Sequence, residues 1–198
     1  MLRIAELGSN MFGPVSIDVA AGECVAIRGA SGAGKSVLLR AIADLDPTTG
    51  DVFLNSQSRQ SMRATQWRSQ VMLVPAQPGW WADQVNDHFE PGDRESVEGL
   101  SSALDLPPDC WNWSVDRLSS GEAQRLAIIR AVVRQPKVLL LDEPTASLDG
   151  ETTRRVEKLI KQLLSAGRAL LVVTHDADQA VRIARRRFTV DAGQLHAE

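Results

Sequence analysis

Cysteine is scarce: the 198 residues hold two, Cys24 and Cys110. Neither stands in CxxC or zinc-ligand spacing, which excludes a disulfide scaffold and a zinc module and leaves two reduced thiols of a cytosolic protein. Long apolar runs are missing as well. The richest, at 138–141 and 169–173, are strand-length, far short of the ~18–20 residues that cross a bilayer. The N-terminal Met1-Leu2-Arg3-Ile4 lacks the extended apolar segment of a secretory signal. There is no excess of basic charge: 22 Lys and Arg against 25 Asp and Glu give a net charge of −3. A broad nucleic-acid-binding surface is not expected from that balance. No internal repeat or low-complexity segment occurs.

Apolar residues make up 43% of the chain, too many for intrinsic disorder and enough for a buried core without cross-links. The first fifth reads as short strands at 3–7, 15–19 and 23–28, the last leading into a glycine-rich loop. A helix over 37–45, a strand at 51–54 and a strand at 71–74 follow, the last stopped by Pro75. Residues 78–117 are irregular. They carry Pro78, Gly79, Pro91, Gly92, Pro107, Pro108 and four of the five tryptophans, with one helical stretch at 95–104. Beyond Gly121 the pattern becomes regular: a helix to Arg134, a strand at 138–141, a helix over 151–164, a strand at 169–173 and a helix over 177–186. Alternating apolar strands and helices predict an α/β fold with a parallel sheet covered by helices.

Three segments carry chemistry. Gly29-Ala30-Ser31-Gly32-Ala33-Gly34-Lys35-Ser36 fits GxxxxGK[ST] between a predicted strand and a predicted helix. Such a loop turns its N–H groups, and the helix its positive end, toward phosphate. Lys35 would reach the β- and γ-phosphates and Ser36 would ligate Mg²⁺. The strand at 138–141 ends in Asp142-Glu143, beside the loop if the sheet is parallel. Asp142 suits a metal held through water, and Glu143 a general base. The third segment, Leu118-Ser119-Ser120-Gly121-Glu122-Ala123-Gln124-Arg125, opens a helix with a second set of exposed N–H groups. By itself it is equally an ordinary capped helix start.

In this order the segments resemble the motifs of the nucleotide-binding domain of ABC proteins, over nearly the full chain. Residues 29–36 resemble Walker A, with Val37 next to it where the family commonly has a hydroxyl. Gln77 resembles the Q-loop glutamine, and 118–125 the signature motif. Residues 138–144 resemble Walker B with its glutamate, Ser147-Leu148-Asp149 the D-loop, and His175 the switch histidine. The resemblance implies a P-loop NTPase (RecA-like) core with a parallel sheet, an N-terminal antiparallel β-subdomain and a small helical subdomain. It places the core at 1–76 and 118–198 and the helical part at 77–117 of a single domain. It further implies ATP and Mg²⁺ as cofactors and hydrolysis through Glu143, His175 and Gln77. Two chains would pair head to tail, with Ser119, Ser120, Gly121 and Glu122 of one facing the nucleotide of the other, and Asp149 coupling the sites.

Three departures stand out. Ser120 replaces the usual glycine, which would strain a turn needing positive φ. Val37 removes a phosphate contact. Tyrosine is absent, and the only aromatic upstream of the loop where the family stacks adenine is Phe12, whose more natural role is packing. The resemblance also implies a separate transmembrane permease, docked on Trp80, Trp81, Val85 and Phe89, with the chain peripheral on the cytoplasmic face of the membrane. His88 is expected at the surface, and Arg185-Arg186-Arg187 at a helix C-terminus. The segment from Gln77 to the signature resembles compact bacterial exporter ATPases, including those of iron efflux. Two alternatives remain open: a soluble ABC ATPase acting on nucleic acid or ribosomes, and a nucleotide-gated regulatory subunit with weak turnover.

Overall fold

The computed structural model describes residues 1–191 and 193–198. The chain opens with β1 (Leu2–Gly8), β2 (Val15–Val19) and β3 (Cys24–Gly29), followed by α1 (Lys35–Ile42), β4 (Thr49–Leu54), β5 (Gln57–Ser58), α2 (Ala64–Gln70) and β6 (Val71–Val74). Short 3-10 turns then surround α3 (Arg94–Ala103). The last part holds α4 (Ser120–Val133), β7 (Val138–Asp142), α5 (Gly150–Ser165), β8 (Ala169–Val173), α6 (Ala177–Ile183), β9 (Arg186–Asp191) and β10 (Gln194–Ala197).

The strands form two sheets. One has four strands in the order β2-β1-β4-β5, with antiparallel pairing throughout. The other has six in the order β10-β9-β3-β8-β7-β6. It is parallel from β9 to β6, and β10 folds back antiparallel as its edge. Both faces of the larger sheet are covered, so its strands read as continuous apolar runs. Leu139, Leu141, Leu170 and Val172 pack on α4, α5 and the tryptophans Trp111 and Trp113. Their neighbours Val138, Leu140, Leu171 and Val173 point the other way, onto α1, Trp67 and the four-stranded sheet.

Two local expectations are corrected. The helix starting at Ala177 stops at Ile183, where Ala184 is extended (φ −108°, ψ 137°). Arg186 and Arg187 therefore lie on β9, not at a helix end. Arg186 pairs with Glu23 at 2.7 Å, which ties β9 to the start of β3. His88 is buried. Its Nε2 accepts the N–H groups of Trp81 (3.0 Å) and Ala82 (3.2 Å), while Nδ1 lies 2.9 Å from the Gln84 carbonyl, to which it donates. Cys24 and Cys110 are free thiols, both buried, and burial pushes Cys24 up to about 12.

Helix α2 has no apolar periodicity; Trp67 is its only large apolar residue. That side chain is fully buried, and its Nε1–H donates to the Ile42 carbonyl at 3.0 Å. It thus closes the C-terminal end of α1, the helix that begins at Lys35. Trp67→Ala should lower unfolding stability by about 3–5 kcal/mol, from the cavity and the released carbonyl. Urea unfolding followed by circular dichroism would read this. A loss below ~1 kcal/mol would mean that the site collapses around the gap.

Candidate nucleotide site

The C-terminal ends of β3, β7 and β8 open on one side of the large sheet, and a cleft of about 610 Å³ lies there. Its walls include Gly29, Ser31, Gly32, Gly34, Lys35, Ser36 and Val37 from the loop after β3, and Gln77 from the segment after β6. Asp142, Glu143 and His175 complete it from the ends of β7 and β8. Residues separated by more than a hundred positions meet because their strands are parallel neighbours.

The loop between β3 and α1 needs its glycines. Gly29 has φ 142° and Gly34 φ 92°. A Cβ on Gly29 would lie 2.5 Å from the Val190 carbonyl oxygen of β9. One on Gly34 would lie 3.1 Å from the Met11 carbonyl oxygen. The Lys35 ammonium donates to the carbonyls of Gly29 and Ala30, both at 2.8 Å, and Ala33 N–H bonds Ala30 O at 3.2 Å. The side chain thus arches over the loop, with its charge held at the cleft.

At the opposite wall, Asp142 is a buried carboxylate at the last position of β7. Glu143 follows in a left-handed conformation, φ 47°. Its N–H donates to the Val173 carbonyl at 2.9 Å. Its Oε2 is 2.8 Å from His175 Nδ1. Both groups face the same cleft.

The Ser119–Glu122 segment does not line this cleft. It begins α4 with a capping box: Ser119 Oγ accepts the Glu122 N–H at 3.3 Å and the Glu122 carboxylate accepts the Ser119 N–H at 2.8 Å. Burial raises the Glu122 pKa, but the Ser119 N–H and hydroxyl outweigh it and hold this carboxyl below its ordinary range. Ser120 is the first residue of α4 and is not among the positive-φ residues. The strain expected from a serine there does not arise. Gly121 packs on the neighbouring turn, where a Cβ would lie 3.1 Å from Ser147 O and from Leu148 Cδ2. Asp149 is the N-cap of α5, accepting the N–H groups of Glu151 and Thr152. The Thr152 N–H and hydroxyl hold its carboxyl below the usual range.

The tryptophan segment divides. Trp81 is 71% exposed. The Arg130 guanidinium stacks on Trp80 at 4.6 Å and on Trp81 at 4.7 Å. Val85 and Phe89, expected at a permease contact, are 0% and 8% exposed. They lie in the core with Trp111 and Trp113, which removes them from any docking surface. Sequence reasoning also missed Met11. It is 49% exposed and lines the cleft, whereas its neighbour Phe12 is buried.

The ABC transporter family profile matches residues 12–146. The chain is 38% identical over 187 residues to the aliphatic sulfonates import ATP-binding protein SsuB of Granulibacter bethesdensis, covering 93% of this chain and 75% of the relative. It is 37% identical to a second protein of that description from Mesorhizobium japonicum, covering 94% and 76%. These names do not support the export expected from the segment between Gln77 and the signature. Among solved structures, a dimeric ATP-binding cassette, MJ0796, in a post-hydrolysis state with ADP and Pi, matches with a TM-score of 0.87 at 24% identity, over 100% of this chain and 98% of that one. A bacterial Atm1-family ABC exporter with ATP bound matches with a TM-score of 0.84 at 23% identity, over 98% and 38%. These two share the fold. The relatives and the family profile carry the assignment: the chain belongs to the ABC transporter family, and within it to the ATP-binding, ATP-hydrolysing subunits.

Proposed function

We propose that this chain is the energy-coupling ATPase of a membrane transporter whose permease is a separate polypeptide, and that it works as a head-to-tail homodimer closed by ATP. The observation that carries this reading is the separation of the two phosphate-binding segments. The cleft gathers Lys35, Ser36, Asp142, Glu143 and His175, while α4 presents its N-terminus elsewhere, beside Ser147 and Leu148. A second copy would bring that N-terminus to the nucleotide, which both chains would then hold.

In this reading the backbone N–H groups of 29–36 and the Lys35 ammonium bind the triphosphate. Ser36, Asp142 and Gln77 offer a hydroxyl, a carboxylate and an amide oxygen at one cleft, the donor type that Mg²⁺ takes. They are too few to hold it without phosphate oxygens and water. The ion would neutralise charge on the β- and γ-oxygens. Glu143 accepts the proton of a water whose oxygen attacks the γ-phosphorus. The bond from that phosphorus to the β–γ bridging oxygen breaks, releasing ADP and phosphate. His175 donates a hydrogen bond to a γ-phosphate oxygen. Loss of the γ-phosphate removes what joins the two chains, and the pair opens.

Import is the direction that the relatives' names favour. No helix is long and apolar enough to cross a membrane among the described residues, so a permease would have to bring the chain to the membrane as a peripheral subunit. Trp81, with part of Trp80, is the contact. Purification in mild detergent from native cells should recover a multi-span membrane protein in stoichiometric amount. Trp81→Ala should weaken that association about 30-fold, the scale of an aromatic anchor at an interface centre, while unfolding stability changes by less than ~0.5 kcal/mol. Recovery of ribosomes or nucleic acid alone would overturn the transporter reading.

A further inference from the structure

A second recess, of about 370 Å³, lies between α3, the end of α4 and the residue before β8. Leu100, Val132 and Val133 give it apolar surface, Ser96 and Gln135 a hydroxyl and an amide, and Arg168 a guanidinium. No acidic side chain lines it, and it shares no residue with the cleft of Lys35 and Glu143. Arg168 is fixed at its backbone and open at its head. Its N–H donates to the Leu163 carbonyl at 3.1 Å, and its carbonyl accepts the Gly22 N–H at 3.1 Å. Among the described residues its guanidinium has neither an ion pair nor a hydrogen bond. Nη1 is buried without a partner, whereas Nε and Nη2 are not closed off in that way. Burial alone acts on this cation, and it lowers the pKa. Arg134, at the same end of α4, instead reaches the Asp93 carboxylate at 3.1 Å.

We propose that this recess binds a short-chain aliphatic monocarboxylate, with the carboxylate side-on across Arg168 Nε–H and Nη2–H and the chain against Leu100, Val132 and Val133. The planar fork of a guanidinium matches a carboxylate with two parallel hydrogen bonds. A partly buried cation with no counter-ion carries an uncompensated desolvation cost, and an anion returns it. Apolar lining with a few polar groups is the make-up of a small-ligand site, and the volume falls at the lower end of the usual ~300–1,000 Å³. Gly99 of α3 keeps the space open: a Cβ there would meet no atom within 4 Å. A ligand in this place would tie α3 and the last turn of α4 to the start of β8.

Calorimetric titration of the full chain with sodium hexanoate tests this. One saturable site with a dissociation constant of about 0.1–1 mM is expected, the scale for so few non-hydrogen atoms. Butanoate, two CH₂ groups shorter, should bind about tenfold more weakly. 1-Hexanol lacks the charge-assisted pair and should be weaker by at least about tenfold. Arg168→Leu keeps the apolar lining and removes the orphaned N–H, so its thermal melt should be no lower. Its hexanoate affinity should fall at least about tenfold. Gly99→Leu keeps Arg168 but fills the recess from α3, and it too should lose binding. Leucine is the better helix former, so that variant keeps its fold. Absence of saturable binding up to about 10 mM hexanoate would overturn the proposal. So would hexanol binding as tightly as hexanoate, or an unchanged affinity in either folded variant.

Discussion

Glu143→Gln should bind ATP as the wild type does and hydrolyse it ~10²–10⁴-fold more slowly, the scale of a lost general base. The amide has the same shape and cannot take a proton. Geometry argues for a specific effect. Glu143 is held at φ 47°, a conformation that costs a non-glycine residue about 1–3 kcal/mol and persists only where neighbours impose it. Two neighbours impose it: its N–H is tied to Val173 and its carboxylate lies against His175. The side chain is aimed by the backbone turn, and its exchange for an amide leaves that turn intact. Phosphate release measures the rate, and sedimentation at saturating ATP measures the pair. The variant should sediment as a dimer with ATP and as a monomer without it. Wild-type phosphate release from the variant would place the base elsewhere. A monomer at saturating ATP would contradict the clamp.

Complementation should give the second large effect. Lys35→Ala removes the cation of the phosphate loop. Ser120→Asp puts a carboxylate at the first turn of α4. An acidic residue there favours the helix by about 0.3–1 kcal/mol, so the fold is kept while the triphosphate is repelled. Each variant should be nearly inactive alone. Mixed, they form heterodimers in which one nucleotide site carries both lesions and the other carries neither. ATPase activity should therefore rise well above that of either parent. A mixture no more active than its parents would show that each chain builds its site unaided, and the head-to-tail reading would fall.

The parallel sheet and the glycine-rich loop between β3 and α1 were legible because they depend on short-range pattern. Strands buried on both faces read as unbroken apolar runs, as at 138–141 and 169–173. The glycines of 29–34 are needed for backbone geometry, which composition reveals. The parts that escaped depend on distant partners. Helix α2 exists because Trp67 reaches the Ile42 carbonyl, and nothing within seven residues announces it. The helix from Ala177 was expected to reach Arg186, because arginine is tolerable in a helix. Pairing of β9 with β3 and the Arg186–Glu23 contact override that propensity. Val85 and Phe89 looked like an apolar face for a partner, yet the same spacing buried them within the chain. Ser120 raised a concern about strain because its register relative to the helix start could not be read. One position earlier it would have been the N-cap; as the first helical residue it needs no unusual backbone.

One contact has a consequence for how the protein is made. The first glycine of the phosphate loop rests on the carbonyl of Val190, from β9, paired parallel to β3 with Gly29 opposite Val190. The ribosome delivers residues 29–36 early and residue 190 about 150 positions later, in a chain that folds as it emerges. Until β9 arrives, one edge of β3 has no strand beside it and the loop has no floor. Nascent chains halted before β9 should thus present the motif in sequence only, without the shape that grips phosphate. A nucleotide cannot act as an early folding template for this protein; it can only reward a chain whose synthesis is nearly complete.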